Sequence, residues 1–248
     1  MMNCELRTKL SRICGFLLVW TVILFTLAAA VYGISGNGDL LAREMLRHAP
    51  PEATGLPEQE YPGVGRMTAA YLTGREENFQ YIWTDADDRG YVGFQKHEAD
   101  HMADCRDLIG LAGVLRWVTG GAALLAGAGI LLRRRKAYAC GMLTGLCAAG
   151  ILFAGIAVWA LVNFDGLFVT FHRVAFTNDG WLLDPRTDLL IRLMPVDFFV
   201  SLGIRIMIWI LAAGIILFCT GKSIHHAEIQ SMREKTDTAG HECAGDGE

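Results

Sequence analysis

Four long apolar runs constrain the fold of this chain of 248 residues more than any other feature. They extend from about Phe16 to Ile34, Ile109 to Leu132, Ala137 to Val162 and Val196 to Cys219. Each approaches or exceeds the roughly 20 residues that a helix needs to cross a bilayer. With 52% apolar and only 19% charged residues, the composition excludes a disordered chain or a disulfide miniprotein. We therefore predict an all-α membrane protein with four transmembrane helices.

The basic residues next to these runs predict the topology. Arg7, Lys9 and Arg12 precede the first run, and the stretch 133–136 between the second and third runs is entirely basic. Basic flanks are typically cytoplasmic, so both termini should face the cytoplasm. A cleaved signal peptide is the alternative for the first run, but an uncleaved anchor fits its length better.

This topology divides the chain into regions with predicted locations. Residues 1–222 should form the four-helix transmembrane domain, with an extracytoplasmic cap at about 35–108, between the first two helices, and an outer loop at about 163–195. Residues 223–248 should form a polar, disordered cytoplasmic tail. The cap carries 14 acidic and 7 basic residues, as expected for a segment outside the cytoplasm. No basic patch other than the topological one appears, so nucleic-acid binding is not expected.

Local patterns predict the elements of the outer regions. Residues from Met67 to Phe79 and from Glu98 to Leu108 have helical character, and Asp85 to Gly90 indicates a turn. In the outer loop, Asp184 followed by Pro185 predicts the start of a short helix, because Asp is a good N-cap and Pro suits the first helical position.

The cap contains a short motif that matches the zinc-protease pattern H-E-x-x-H. His97 and His101 are one helical turn apart, and Glu98 between them would be the general base. The pattern fixes only three positions, and its flank is very polar rather than the apolar helix that usually buries the metal. Zinc proteolysis is therefore a minor alternative, and we predict no metal and no cofactor.

A second polar block, in the outer loop, resembles a known family. The residues of this block are Phe171, His172, Asn178, Trp181, Asp184, Pro185, Asp188, Leu190, Ile191, Pro195, Phe198 and Phe199. Together with Glu98, His101, Met102 and Asp104 in the cap, they resemble the two signature blocks of the lipoprotein intramolecular transacylase (Lit) family. Cys105 and Ala175 depart from the family pattern, at positions without an obvious chemical role. The resemblance covers about Phe16 to Cys219.

The resemblance implies a multi-pass enzyme of the bacterial cell membrane, typical of Gram-positive lineages, with its active site on the extracytoplasmic side. Its substrates would be diacylglyceryl-modified lipoproteins embedded in membrane lipid, with no obligate protein partner. The reaction would move the sn-2 acyl chain of the lipid-modified cysteine to that cysteine's own α-amine and leave the lyso form. The functional histidines of the family fall on His101 and His172.

These residue types suit acyl transfer to an amine. An α-amine titrates near pH 8 and must be unprotonated to attack an ester, so a neutral imidazole can act as general base. We expect His101 to be the base and His172 to stabilise the oxyanion or protonate the leaving oxygen, with Asn178 as a weaker donor. An acyl-imidazole at His172 or an acylated Cys105 is the covalent alternative.

Other polar residues are expected in supporting positions. Glu98, Asp104 and Asp188 could fix the orientation of an imidazole. Arg116 and Arg205 lie inside spans at similar depth and could form a polar substrate vestibule, together with the interfacial Trp181. The alternative is that both arginines snorkel outward along their long side chains. A non-enzymatic membrane scaffold or chaperone is the rival hypothesis from a different class, and it predicts that the two catalytic histidines are replaceable.

Overall fold

The computed structural model describes residues 4–84, 89–132 and 135–245. Four of its helices are long and apolar enough to cross a membrane, which confirms the predicted number of spans. The elements in chain order are α1 (Cys4–Ser35), α2 (Gly38–His48), α3 (Pro51–Thr54), a 3-10 turn (Glu58–Glu60), α4 (Tyr61–Leu72), β1 (Ile82–Thr84), β2 (Gly90–Val92), α5 (Lys96–Leu132), α6 (Arg135–Val162), α7 (Phe164–Ala175), α8 (Leu189–Leu193) and α9 (Val196–Gly245).

The four long helices α1, α5, α6 and α9 each contribute residues to two compact units. The first unit comprises residues 1–25, 118–155 and 210–248, and the second comprises residues 26–117 and 156–209. The second unit contains every predicted site residue, from Glu98 to Arg205.

In the first unit, α1 and α6 approach each other closely at two glycines. A Cβ atom on Gly15 would lie 2.1 Å from the carbonyl oxygen of Tyr138, and one on Gly141 would lie 2.0 Å from that of Arg12. Glycine is therefore required at both positions, as is common where membrane helices pack closely. Apolar residues complete this core, among them Val19 and Met142, which are fully buried.

In the second unit, α2 and α4 pack through another pair of glycines. A Cβ atom on Gly65 would lie 2.5 Å from the carbonyl oxygen of Gly38. Tyr61, at the start of α4, is fully buried, and its hydroxyl hydrogen-bonds to Thr54 at 2.8 Å and donates to the carbonyl of Ala49. The surrounding core is apolar and includes Leu41, Met45, Leu56, Val64, Phe79, Phe94, Met102, Leu190, Leu193 and Phe198.

Several elements differ from the sequence prediction. The helix predicted over Met67–Phe79 corresponds to α4, which begins at Tyr61 and ends at Leu72. Strands β1 and β2 were not predicted, and they pair antiparallel on either side of the predicted turn, with Trp83 opposite Tyr91. Residues 85–88 of that turn lie outside the described residues, as do residues 133–134 of the basic turn between α5 and α6.

The prediction that a helix begins at Asp184 and Pro185 is wrong, because α8 begins at Leu189. The Asp184 carboxylate accepts the N–H of Arg186 at 2.9 Å, and the Asp184 carbonyl accepts the N–H of Asp188 at 2.8 Å. Asp184 therefore closes a single turn with its own side chain and backbone, which competes with helix initiation.

The last helix, α9, extends to Gly245, beyond its apolar span. The residues after the span include Ala, Glu, Gln, Met, Arg and Lys, which favour helix, and no proline follows Pro195. Disorder of residues 223–248 stays a prediction from composition.

Candidate active site

The structure brings His101 of α5 and His172 of α7 together. Their ring centroids are 6.1 Å apart, with an interplanar angle of 35°. The two residues are 71 positions apart in sequence, so the fold alone creates the pair. Both are nearly enclosed, with exposed fractions of 8% for His101 and 7% for His172. A buried imidazole pair of this kind can exchange protons with a substrate held against it.

The helix that carries His172 also fixes its orientation. The Nδ1 atom of His172 lies 2.8 Å from the carbonyl oxygen of Phe168, one turn earlier in α7. A carbonyl oxygen only accepts, so Nδ1 carries the proton and the neutral ring keeps its lone pair on Nε2. Burial lowers the pKa of His172, and the bond to Phe168 offsets only part of that effect. The lowered pKa favours the neutral form of His172, in which Nε2 carries the lone pair.

His101 is held differently. Its Nε2 atom lies 3.6 Å from the sulfur of Cys105, one turn later in α5. Its Nδ1 atom is buried and has no hydrogen-bond partner among the residues that the structure describes. A buried ring nitrogen without a partner is costly unless a ligand or water satisfies it. The described residues therefore leave the hydrogen-bonding capacity of Nδ1 of His101 unused.

Aromatic rings surround the two imidazoles. The ring of Phe176 lies edge-on to His101, at 5.2 Å between centroids. His172 has four aromatic neighbours, Phe168, Phe171, Phe176 and Trp181, with centroid distances from 4.1 to 5.5 Å. This aromatic wall explains the low exposure of both histidines, and it places Trp181 beside the histidine pair.

Asp104 and Asn178 connect the two helices that carry the histidines. The Nδ2 group of Asn178, in the segment after α7, donates to the carboxylate of Asp104 at 2.9 Å. The Asn178 side-chain oxygen accepts the N–H of Gly180 at 2.9 Å, which orders the turn before Trp181. Both residues therefore stabilise the position of the aromatic wall.

Glu98 has a structural role that the sequence analysis did not predict. Its side chain is fully buried, with 0% exposure, and its two oxygens accept the backbone N–H groups of Gln95 and Leu190, each at 2.7 Å. The carboxylate thus joins the start of α5 to the first turn of α8. These two bonds give Glu98 a structural role at the junction of α5 and α8.

Asp188 does orient an imidazole, but it is that of His97. Its carboxylate lies 2.9 Å from Nε2 of His97 and accepts the backbone N–H of Asp184 at 2.8 Å and the hydroxyl of Thr187 at 2.7 Å. Burial raises the pKa of Asp188, but these three hydrogen bonds outweigh burial and hold the pKa below its usual value. Asp188 is therefore a buried anion that fixes the outer loop to α5.

Comparison with known proteins identifies the family. The family model described as lipoprotein intramolecular transacylase Lit matches residues 16–199, which include both histidines and the whole aromatic wall. The chain belongs to the lipoprotein intramolecular transacylase (Lit) family. A transacylase is an acyltransferase, so the chain belongs to a family of acyltransferases. No curated protein sequence matches this chain.

Solved structures of a Lit protein share the fold. The structure of the membrane-integral lipoprotein intramolecular transacylase Lit from Bacillus cereus has a TM-score of 0.72 and 17% identity, covering 90% of this chain and 99% of that one. A variant of that protein with a histidine replaced by arginine has a TM-score of 0.71 and 17% identity, covering 92% of this chain and 98% of that one. A variant with a histidine replaced by alanine has a TM-score of 0.72 and 16% identity, covering 92% of this chain and 100% of that one.

The zinc-protease alternative requires His97 and His101 to bind one ion. In this Lit-family chain the two rings have different partners, since His97 contacts Asp188 and His101 contacts Cys105 and His172. Within residues 4–84, 89–132 and 135–245, the structure places no group of three or more His, Cys, Asp or Glu side chains where they could hold a metal ion.

The two arginines of the predicted vestibule have separate partners. Arg205 donates to the carboxylate of Glu44 in α2, and the Ser201 hydroxyl donates to the other oxygen of that carboxylate at 2.6 Å. Burial raises the pKa of Glu44, but the bonds from Ser201 and Arg205 outweigh burial and hold the pKa below its usual value. Arg116 instead lies over the ring of Tyr32, with 3.9 Å between Cζ and the centroid. In the structure Arg205 is thus paired with a carboxylate, and Arg116 is stacked on an aromatic ring.

Two contacts of the candidate site were not predicted. The Phe168 carbonyl is four residues before His172, and Cys105 is four residues after His101. Residues at this spacing lie on one face of a helix. Helical character was predicted for the segment of Cys105, so its contact with His101 could have been found, but α7 falls in a region predicted as a loop.

Proposed function

We propose that this chain moves the sn-2 acyl chain of a diacylglyceryl-modified lipoprotein to the α-amine of the same cysteine. The product is the lyso-form lipoprotein, with an N-acyl chain and a free sn-2 hydroxyl. The observation that carries the proposal is the buried pair of His101 and His172 within one site, in a chain of the Lit family. Nucleophile and ester belong to one molecule, so positioning supplies much of the rate.

The reaction needs one proton to move from nitrogen to oxygen. The amine nitrogen attacks the ester carbonyl carbon, a C–N bond forms, and the carbonyl oxygen becomes an oxyanion. A neutral imidazole takes the proton that the amine loses. The tetrahedral intermediate then collapses, the bond from carbon to the glyceryl oxygen breaks, and the imidazolium returns the proton to that oxygen. Atoms balance without a separate acyl donor, a covalent acyl-enzyme or a cofactor.

The hydrogen bonds of the site support a division of labour opposite to the one expected from the sequence. Nε2 of neutral His172 has a lone pair and no proton, because Nδ1–H is donated to Phe168. His172 is thus suited to be the general base and then the acid. The Cys105 thiol, 3.6 Å from Nε2 of His101, is a weak donor that favours a proton on Nδ1 of that ring. Neutral His101 can then donate Nδ1–H to the oxyanion.

The aromatic wall supports transfer to an amine over hydrolysis. Phe168, Phe171, Phe176 and Trp181 surround the His172 ring at centroid distances of 4.1 to 5.5 Å, and both histidines are less than a tenth exposed. Limited access for water suppresses attack on the ester by hydroxide and strengthens the electrostatic stabilisation of the oxyanion.

We place the histidine pair on the extracytoplasmic side, with both termini in the cytoplasm. The basic residues before the first span and the basic turn at 133–136 support this orientation. His101 lies near the start of α5, at the end of that helix away from the basic turn. A phosphatase reporter that is active only outside the cytoplasm should be active when fused after Gly74 and inactive when fused after Lys222. The reverse pattern would contradict this orientation.

The function is tested by expressing the chain in a bacterium whose lipoproteins are diacylated and analysing the N-terminal lipopeptide of a reporter lipoprotein. The expected product is an isomer of the substrate, so fragmentation in the mass spectrometer must locate the acyl chain on nitrogen. His101→Ala and His172→Ala should lose the product, and the control His97→Ala should retain it. An unchanged lipopeptide from well-expressed wild-type protein would contradict the proposal.

The same experiment separates the alternative functions. A zinc protease would require His97 as much as His101, and a chelator would inhibit it. A scaffold or chaperone would tolerate the loss of both His101 and His172. Only acyl transfer predicts that His101 and His172 are essential, that His97 is dispensable and that a chelator has no effect.

A further inference from the structure

A second candidate site lies on α5, away from the histidine pair. An open cleft of about 360 Å³ is present in the second unit, between the outer part of α5, the end of α1 and the turn after α4. Its lining residues are Tyr32, Leu72, Thr73, Gly74, Arg106, Asp107, Gly110, Gly113, Val114 and Arg116. At 3.6 residues per turn, Arg106 and Gly110 lie roughly 140° and 180° around the helix from His101, and Arg116 lies about four turns further along, so the cleft is away from the histidine pair.

Two guanidinium groups line this cleft. Arg116 lies over the ring of Tyr32 at 3.9 Å and near Trp117 at 5.2 Å, and Arg106 lies over the ring of Tyr71 at 5.1 Å. Helical side chains point toward the N-terminus of their helix, so Arg116 extends from within the span toward Arg106. The two Cα atoms are about 15 Å apart along the helix axis, and both residues line the same cleft.

Arg205 and Arg116 differ in how their charges are balanced. The guanidinium of Arg205 forms an ion pair with the carboxylate of Glu44. The Nε atom of Arg116 is buried without a hydrogen-bond partner, and the described part of the chain shows aromatic neighbours but no ion pair for this guanidinium. The acidic residue of the cleft, Asp107, is exposed and lies more than two turns from Arg116 along α5. A cation at this depth in a span calls for an anion or a polar ligand.

Glycines make room for such a ligand. A Cβ atom on Gly110 would meet nothing within 4 Å, so the wall of the cleft is open there. A Cβ atom on Gly113 would lie 2.9 Å from the ring of Tyr32, so glycine at 113 allows Tyr32 to support Arg116. Apolar side chains continue the same surface toward the membrane, with Val114 60% exposed and Trp117 74% exposed.

We infer that this cleft binds an anionic phospholipid, with the phosphodiester between Arg106 and Arg116 and an acyl chain along Gly110 and Val114. The two guanidinium groups supply charge and donors for a phosphate, which Arg binds well. The exposed apolar surface next to them fits an acyl chain and does not fit a free phosphate. The inference is independent of the acyl-transfer chemistry, since the cleft lies away from the histidine pair.

The inference is tested by native mass spectrometry of the full chain released from a bilayer of equal parts phosphatidylglycerol and phosphatidylcholine. Wild-type protein should retain one phosphatidylglycerol in preference to phosphatidylcholine. The variants Arg106→Gln and Arg116→Gln should reduce the retained fraction roughly tenfold when combined. Gly110→Leu, which fills the cleft and changes no charge, should have the same effect, so the inference does not depend on the folding of the arginine variants.

Matched controls exclude a general effect of charge or of substitution. Arg43→Gln removes an exposed arginine of α2, and Gly121→Leu fills open space at another glycine of α5, and both should retain the lipid. Equal retention of the two lipids by wild-type protein would overturn the inference, as would equal losses in Arg43→Gln and Arg116→Gln. Displacement of the lipid by millimolar inorganic phosphate would show a phosphate site and would overturn the assignment to a phospholipid.

Discussion

Nδ1 of His172 donates to the carbonyl oxygen of Phe168, one turn earlier in the same helix, at 2.8 Å. This bond fixes the tautomer of the ring. His172, the proposed base, therefore has its lone pair on Nε2. His101, 6.1 Å away between centroids, has a weaker contact within its own helix, between Nε2 and the Cys105 sulfur at 3.6 Å. Each histidine is thus oriented by its own helix, and the fold brings the two helices together.

The two histidines should act as one unit. We expect His101→Ala and His172→Ala each to lower the rate about 10²- to 10⁴-fold, the usual contribution of general acid–base catalysis. The double variant should be little slower than either single variant, because the remaining histidine has no partner. Initial rates on a purified diacylglyceryl lipopeptide would measure this. Multiplicative losses in the double variant would indicate that the two rings act independently.

The rate should depend on pH in two steps. Burial lowers the pKa of His172 below its ordinary value of about 6.5, and the substrate amine titrates near 8. Because both groups must be unprotonated, kcat/KM should rise with slope one on a logarithmic plot below pH 8. The slope should become two only below the lowered pKa of His172. A second break at or above pH 6.5 would contradict a buried, neutral His172.

Cys105 should support His101 without forming an acyl-enzyme. Cys105→Ser keeps a donor next to Nε2 of His101 and should retain most activity, and Cys105→Ala should reduce activity only severalfold. A covalent mechanism predicts that Cys105→Ala is inactive. It also predicts that hydroxylamine releases a labelled acyl group from the wild-type protein, and either result would overturn direct transfer.

Glu98 should contribute to stability rather than to chemistry. In Glu98→Gln, an amide NH₂ replaces one of the two oxygens that accept the N–H groups of Gln95 and Leu190. We expect a loss of about 1–3 kcal/mol, because one buried donor is left without an acceptor. The matched control is Asp100→Asn, which removes an exposed pair with Lys96 and should cost less than about 1 kcal/mol. Thermal unfolding in one detergent would compare them, and equal shifts would contradict this role.

The sequence was sufficient to predict the spans and the histidine pair. An apolar run that is long enough to cross a bilayer has few alternatives to a membrane helix. The structure confirms four helices of this length and composition. His101 and His172 were found through family motifs, because an isolated histidine at the end of a span carries little information by itself. Their distance and burial come from the fold.

The supporting residues could not be assigned from sequence. Glu98 bonds to the N–H of Leu190, 92 residues away, and that N–H is available only because α8 begins at Leu189. Arg205 pairs with Glu44 of α2, a short helix that lies between the first two spans in the sequence. These contacts depend on how distant backbone segments meet, which no local spacing encodes. The β-hairpin was missed because its strands have only three residues each.

The most direct test of the central claim is a crossover experiment with purified protein. Two diacylglyceryl lipopeptides of different peptide mass, one with deuterated acyl chains and one without, are incubated together with the protein. Each product should carry on its nitrogen only the acyl chain of its own precursor, and His172→Ala should form neither product. N-acyl chains exchanged between the two peptides would contradict intramolecular transfer assisted by the histidine pair.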